Sequence, residues 1–175
     1  FRRAPENTAE SLAAALAEGA DGVEYDVQLS SDGVPFLLHD DSLLRTCGMD
    51  ATAREVDWPR LSALEAGAPG HRIPSLARIL GQVGGIHDLE LKAPRGGFAP
   101  PDRARLLSAV LPLFSDARRR GRISPRSALT SFDGAILELA ARLDSEVPFG
   151  IIVETPDEWR NALALRLPRN PSVLA

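Results

Sequence analysis

The stretch GVEYDVQLSSDGVPFLLHDD, residues 22–41, has the pattern of two β-strands joined by a tight turn. Its first arm alternates apolar and polar residues, so Glu24 and Asp26 are predicted to point to the same face of the strand. Residues 30–33 are typical of a turn because Asp-Gly tolerates positive φ, and an apolar run from Pro35 resumes the extended chain. The stretch therefore predicts a β-hairpin that carries two carboxylates side by side.

If this hairpin closes about residues 31–32, Glu24 lies roughly across from His39. Two neighbouring carboxylates repel each other, so they usually need a cation, a proton or a basic partner. Carboxylates that stay ionised suit a hard divalent cation such as Mg²⁺ or Ca²⁺. An imidazole beside them completes the arrangement used in metal-assisted acid/base chemistry. For Glu24 and Asp26, the pattern alone is equally compatible with a solvated strand face. For His39, it is also compatible with a hydrogen-bonded histidine in a turn.

Four segments of the chain resemble, in order and spacing, the motifs of the glycerophosphodiester phosphodiesterase family. They are Pro5-Glu6-Asn7-Thr8, then Gly19 to Val27, then Asp32-Gly33-Val34-Pro35 with His39-Asp40, and finally Leu89-Glu90-Leu91-Lys92. The resemblance extends from the start of the chain to about Val153. Because several separate motifs agree, we take it as specific.

The resemblance implies a metal site and a set of residues around it. Glu24, Asp26 and Glu90 would bind a divalent metal, Mg²⁺ or Ca²⁺. His39 would be one of two acid/base histidines in catalysis. Lys92 would bind the substrate phosphate as a point charge.

Two further residues are implied in less direct roles. Glu6 and Asn7 would support the metal or the glycerol of the substrate. Without the resemblance, Glu90 and Lys92 would be taken for an ordinary surface pair, which contributes little stability.

Strands and helices alternate along the rest of the chain, which predicts a parallel sheet in either a doubly wound fold or a barrel. Periodicity does not choose between them, but the resemblance implies a (β/α)₈ TIM barrel with its active site at the C-terminal ends of the strands. Barrel-like strands are predicted near residues 22, 86, 127, 148 and 172, besides the return arm of the hairpin.

Residues 1–175 are expected to form a single barrel domain that is partial at both ends. A full barrel takes about 250 residues, and the chain has 175. The family's His-Arg-Gly motif is absent before Pro5, where Phe1 to Ala4 stand instead. We therefore expect the intact protein to continue on both sides, with the first and last strands outside this sequence.

Composition limits the partners. The chain is 44% hydrophobic and 25% charged, with a net charge of −4, which is ordinary for a globular domain and argues against a nucleic-acid partner. No apolar run approaches the roughly 20 residues of a membrane span, so no stable membrane insertion is expected. The one cysteine, Cys47, excludes an internal disulfide and fits a reducing compartment, so a cytoplasmic location is expected. The oligomeric state is not predicted.

The expected activity is metal-dependent hydrolysis of a small-molecule glycerophosphodiester to sn-glycerol 3-phosphate and an alcohol. One alternative is a phospholipase- or sphingomyelinase-type lipid phosphodiesterase with the same three carboxylates. Another is a degenerate, non-catalytic binding module that has lost its first histidine. A His-Arg-Gly motif upstream of Phe1 would exclude the degenerate module.

Overall fold

The computed structural model describes residues 4–94, 97–157 and 160. Within these residues, five strands form one sheet in the order β2-β1-β3-β4-β5. The strands are β1 (Gly22–Leu29), β2 (Pro35–Leu37), β3 (Ile86–Leu91), β4 (Ala128–Ser131) and β5 (Phe149–Ile151). The predicted strand at residues 172–175 lies outside the described residues.

The sheet has the topology of an arc of a (β/α)₈ barrel. β1, β3, β4 and β5 are parallel and lie side by side in chain order, and only β2 is antiparallel. A doubly wound sheet would instead reverse its strand order at a switch point. The described sheet has no reversal of this kind. Of the two fold classes that periodicity allowed, a doubly wound sheet and a barrel, the structure therefore has the barrel, in incomplete form.

Helices connect the strands. They are α1 (Ala9–Ala17), α2 (Leu44–Cys47), α3 (Trp58–Leu61), α4 (Leu76–Gln82), α5 (Pro100–Arg119) and α6 (Gly134–Leu143), with a 3₁₀ turn at Ala53–Glu55. They supply residues to two apolar clusters: α1, α4, α5 and α6 to the large one on the outer face of the sheet, and the segment from Leu43 to Leu61 to a smaller one around Phe36. Among the helices of the described residues, none combines the length and apolar character needed to cross a membrane.

The two faces of the sheet differ in chemistry because side chains alternate along each strand. The outer face packs against the helices and carries buried residues such as Tyr25, Val27 and Leu89, which join one apolar core with α4, α5 and α6. The inner face carries the residues between them, including Asp26 and Glu90. Apolar burial therefore fixes the outer face along the whole sheet, whereas the inner face is apolar at β2, around Phe36, and polar along β1 and β3.

The hairpin forms as predicted, but its register differs by one residue. Backbone bonds between Ser30 and residues 33 and 34 close a loop centred on Asp32, and Val27 pairs with Leu37. The register therefore brings position 39 opposite position 25, not opposite position 24. The predicted register assumed a tighter turn than the one that the Ser30 side chain stabilises by accepting the Val34 N–H at 2.9 Å.

Two helices begin in different ways. Thr8 caps α1 in a reciprocal capping box with Ser11, each side chain accepting the other's backbone N–H. The long helix α5 begins after Ala99, so Asp102 lies in its first turn and does not cap it. Asn7, the residue before the Thr8 cap, lies beside β1, where its side chain accepts the Asp26 backbone N–H.

Candidate active site

Three carboxylates of the inner face meet where β1 pairs with β3: Glu90 is one residue from the end of β3, whereas Glu24 and Asp26 lie within β1 and not at its end. Asp26 and Glu90 are direct neighbours in the parallel ladder, and Glu24 lies one inner-face position before Asp26. Each of the three residues offers a carboxylate oxygen, and these oxygens all lie within 4.8 Å of one another. Asp26 and Glu90 are 4% and 8% exposed, so two of the charges are buried. The structure thus brings together the three residues predicted as metal ligands.

The trio, Glu24, Asp26 and Glu90, carries more negative charge than its surroundings balance. Glu24 faces an open cleft, yet protein atoms on its other sides withdraw water and, together with the charges of Asp26 and Glu90, raise its pKa to about 7. Burial is likewise the main cause that raises the pKa of Glu90, with the charge of Asp26 adding to it. Such shifts are typical of carboxylates arranged for a cation or for catalysis.

Lys92 is the cation that the protein itself supplies. Its Nζ lies 3.0 Å from Asp26 Oδ1 and 3.2 Å from Glu90 Oε1. Burial alone would favour the neutral amine, but the adjacent carboxylates outweigh it and raise the pKa of Lys92. Lys92 therefore stays charged and holds two of the three carboxylates in position.

Asn7 holds Asp26 from the other side. Its Nδ2 donates to Asp26 Oδ2 at 2.8 Å, and its Oδ1 accepts the Asp26 backbone N–H at 3.0 Å. Among the described non-glycine residues, Asn7 alone has a positive φ, of 56°. A left-handed backbone is uncommon outside glycine and is often retained at functional sites. The predicted link between Asn7 and the site is therefore a direct contact with a carboxylate of the trio.

His39 follows β2 and lines the same cleft as Glu24 and Asp26, a space of about 570 Å³. Its Nδ1 lies 2.8 Å from Asp40 Oδ1. Because a carboxylate only accepts hydrogen bonds, this contact favours the tautomer with the proton on Nδ1 and leaves Nε2 for proton exchange.

A chain of charges continues from Asp40. Arg45 donates to Asp40 and to Glu6, and its hydrogen bond is the main cause that lowers the pKa of Asp40 to about 2. Asp40 is therefore ionised at neutral pH. Glu6 lines the cleft but is engaged by Arg45, so its contact with the site is less direct than that of Asn7.

Sequence patterns missed three residues around the site. Arg45 lies on the short helix α2 and meets Glu6 only through the tertiary fold. Asp88, one inner-face position before Glu90, accepts a hydrogen bond from Thr130 at 2.6 Å. Gln28 is buried on the inner face after Asp26. A polar residue at a buried alternate position was the signal that could have identified Gln28.

The trio suits a divalent cation. It supplies several carboxylate oxygens at short mutual distance, which is the ligand type that hard cations prefer. The ammonium of Lys92 contacts two of the three carboxylates, those of Asp26 and Glu90, so three acids face one positive charge. The residues present therefore fit a metal site.

Comparisons with known proteins agree on one family. The model of the glycerophosphoryl diester phosphodiesterase family matches residues 1–174. A glycerophosphodiester phosphodiesterase of Caldanaerobacter subterraneus subsp. tengcongensis is 33% identical over 89 residues, which cover 47% of this chain and 37% of that protein. Glycerophosphodiester phosphodiesterase 1 of Rattus norvegicus is 36% identical over 81 residues, covering 42% of this chain and 24% of the relative. The chain thus matches well under half the length of these relatives.

A solved structure extends the likeness to the fold. A phosphodiesterase of Oleispira antarctica, in complex with the product sn-glycerol-3-phosphate, is 29% identical with a TM-score of 0.74. The superposition covers 92% of this chain and 66% of that one. The described sheet and helices are therefore an arc of the barrel seen in that structure.

Proposed function

The chain belongs to the glycerophosphoryl diester phosphodiesterase family, and from this membership we propose that it carries out metal-dependent hydrolysis of glycerophosphodiesters. The products would be sn-glycerol 3-phosphate and an alcohol. The observation that carries the proposal is the trio of Glu24, Asp26 and Glu90, with oxygens within 4.8 Å of one another beside Lys92. The Oleispira antarctica relative with bound sn-glycerol-3-phosphate supports the same substrate class.

Glu24, Asp26 and Glu90 would hold the cation, Mg²⁺ or Ca²⁺, whose contribution is to neutralise and polarise the phosphodiester. Lys92 would bind a phosphate oxygen through its charge. It has three N–H donors and uses two acceptors on Asp26 and Glu90, so one donor is available to a substrate oxygen.

His39 would transfer the proton. With Nδ1 bonded to Asp40, its Nε2 can take a proton from an attacking hydroxyl or, once protonated, give one to the departing alkoxide. The ionised Asp40 stabilises the imidazolium, both when it forms as His39 takes a proton and when it is present before His39 gives one. Asn7 would keep Asp26 oriented, and Glu6 would act through Arg45.

The test compares two carboxylates of the same strand and face in the complete protein. Glu90→Gln should weaken binding of Mg²⁺ or Ca²⁺, and hydrolysis of glycerophosphocholine, by more than about 100-fold, because loss of an outer-shell partner alone commonly costs 10–100-fold. Asp88→Asn is the matched control, since Asp88 lies outside the trio and its bond from Thr130 can be kept by the amide.

Calorimetric titration with each metal gives the affinity directly. The control should keep a metal affinity close to that of wild type, because Asp88 is not one of the three carboxylates that meet. Unchanged metal affinity in Glu90→Gln would refute the metal site, and hydrolysis of long-chain lysophospholipids in preference to glycerophosphocholine would favour the lipid phosphodiesterase.

A further inference from the structure

Gln28 is a buried amide on the inner face of β1, two residues beyond Asp26. It is 2% exposed, and its Nε2 donates to the backbone carbonyl of Leu38 at 2.7 Å and to that of Asp40 at 2.9 Å. The carbonyl of His39 lies 3.5 Å from the same nitrogen. The carbonyls of three consecutive residues thus converge on one side-chain nitrogen.

This convergence begins where the hairpin ladder ends. β2 ends at Leu37, and the N–H of Leu38 still donates to the Asp26 carbonyl at 3.2 Å. Beyond it, the two N–H groups of the Gln28 side chain donate to the carbonyls of Leu38 and Asp40, the residues on either side of His39. Because Gln28 pairs with Phe36 in the ladder, its own backbone is fixed, and the side chain extends past the end of β2.

The chemistry of the contact requires the nitrogen, not the oxygen. A carbonyl has no hydrogen to donate, so rotating the amide by half a turn would place Oε1 against acceptors. In the observed orientation, Oε1 accepts no hydrogen bond from the described residues. An unpaired buried oxygen costs stability. The amide nitrogen therefore bonds to these backbone carbonyls, while the amide oxygen accepts no hydrogen bond from the described residues.

Two sets of contacts hold His39, and they differ in strength. The ring bonds to Asp40, which Arg45 holds through an ion pair whose arginine side chain is 57% exposed. Exposed ion pairs are weak in water, whereas buried hydrogen bonds are more costly to lose. The backbone of His39 thus depends on the buried contact with Gln28.

We propose that Gln28 is a positioning residue that fixes the backbone of His39, so that the imidazole faces the cleft beside the carboxylates. The inference rests on the proposed role of His39 in proton transfer. Gln28 would touch neither substrate nor metal, and its effect on the reaction would pass entirely through residues 38–40.

Gln28→Met tests this in the complete protein, because methionine keeps the volume and removes both donors. We expect kcat to fall about tenfold or more, the size of effect seen for outer-shell partners, while KM and the affinity for Mg²⁺ stay within about twofold. In a His39→Ala background, the same substitution should change kcat by less than about twofold, since residues that act through one another are not additive.

Tyr25→Phe is the matched control. It also removes a buried hydrogen bond from β1, but on the outer face, and should leave kcat unchanged. If Gln28→Met does not fold, Gln28→Asn keeps a polar amide that is one methylene too short to reach the carbonyls. Equal losses of kcat with and without His39, or no loss in either, would overturn the proposal.

Hydrogen exchange separates this proposal from the proposed function. In Gln28→Met, the Leu38 amide, which donates to the Asp26 carbonyl, should exchange about tenfold faster or more, while the amides of β3 stay protected. Unchanged exchange would overturn the proposal even in an active enzyme. Full activity of His39→Ala would instead refute the proton-transfer role, and the exchange rates would still report whether Gln28 holds the segment.

Discussion

The outer and inner faces of the sheet both carry ionisable groups, but only the outer face satisfies them internally. On the outer face, the Tyr25 hydroxyl lies 2.8 Å from His87 Nδ1, and His87 Nε2 lies 3.1 Å from the carbonyls of both Val83 and Gly84. Since carbonyls only accept, Nε2 carries the proton and Nδ1 accepts from Tyr25. His87 is thus buried and neutral, with every polar ring atom bonded.

On the inner face, the same strands place three carboxylates around one ammonium. Glu24, Asp26 and Glu90 share contacts or charge interactions with Lys92, and the pKa of Glu24 is raised to about 7. The comparison teaches how to distinguish a structural polar cluster from a functional one. A structural cluster completes its hydrogen bonds and charges within the fold, whereas a functional cluster keeps an excess that a ligand must balance.

The largest effect is expected from a substitution on the inner face. Glu24→Gln should lower the proposed diesterase activity by more than about 100-fold, because it removes one of the three proposed metal ligands. It should also leave the metal-free protein as stable as wild type or more stable, because it removes a charge that burial and neighbouring acids disfavour. Urea unfolding in EDTA at pH 8 measures the second part, and a marked loss of stability there would mean that Glu24 has a structural role.

The next largest effect is expected from a substitution on the outer face. His87→Leu should destabilise the protein by about 1–3 kcal/mol for each buried polar group left unpaired, which includes the Tyr25 hydroxyl. The kcat of the folded fraction should not change, because His87 lies on the opposite face from the trio. Urea unfolding and steady-state kinetics on the same sample check both statements. A large fall in kcat with unchanged stability would contradict the division between the faces.

The smallest expected effect is a dependence of stability on pH that comes from His87 on the outer face. Burial lowers the pKa of His87 below its usual value of 6.5, although the Gly84 and Val83 carbonyls oppose the shift. Below pH 6.5 the unfolded chain therefore binds a proton that the folded protein does not. The stability that neutral His87 contributes is present above pH 6.5 and is lost as pH falls below it, by at most about 1.4 kcal/mol per pH unit.

The measurement is the difference in unfolding free energy between wild type and His87→Gln from pH 7.5 to 5.5. Glutamine cannot titrate but can still donate and accept. The advantage of wild type should shrink as pH falls through this range. A constant difference would show that His87 is protonated equally in the folded and unfolded chains.

Sequence patterns predicted the inner face better than its surroundings. Strand alternation was enough to place Glu24 and Asp26 together, because the period of a strand fixes which side chains share a face. Glu90 needed the family resemblance, since pairing between β1 and β3 joins residues more than sixty positions apart. The parallel alternation limited the fold to two classes, and the family motifs chose the barrel.

The remaining details depend on contacts that no local pattern encodes. The hairpin register was off by one because a Ser30 side-chain bond widened the turn. The Arg45 bridge between Asp40 and Glu6 forms only when the segment before α1 and the segment after β2 come together. Such contacts follow from the assembled fold and not from residue spacing.

The amino acid at position 7 must meet two separate requirements, and together they determine which amino acids are tolerated there. Its backbone, at a φ of 56°, admits glycine, asparagine and few others. Its side chain must offer a donor and an acceptor together, a requirement that only the amide side chains of asparagine and glutamine meet in the observed way. Asparagine is the one amino acid that meets both requirements. A saturation library at position 7, selected for activity, should therefore return asparagine.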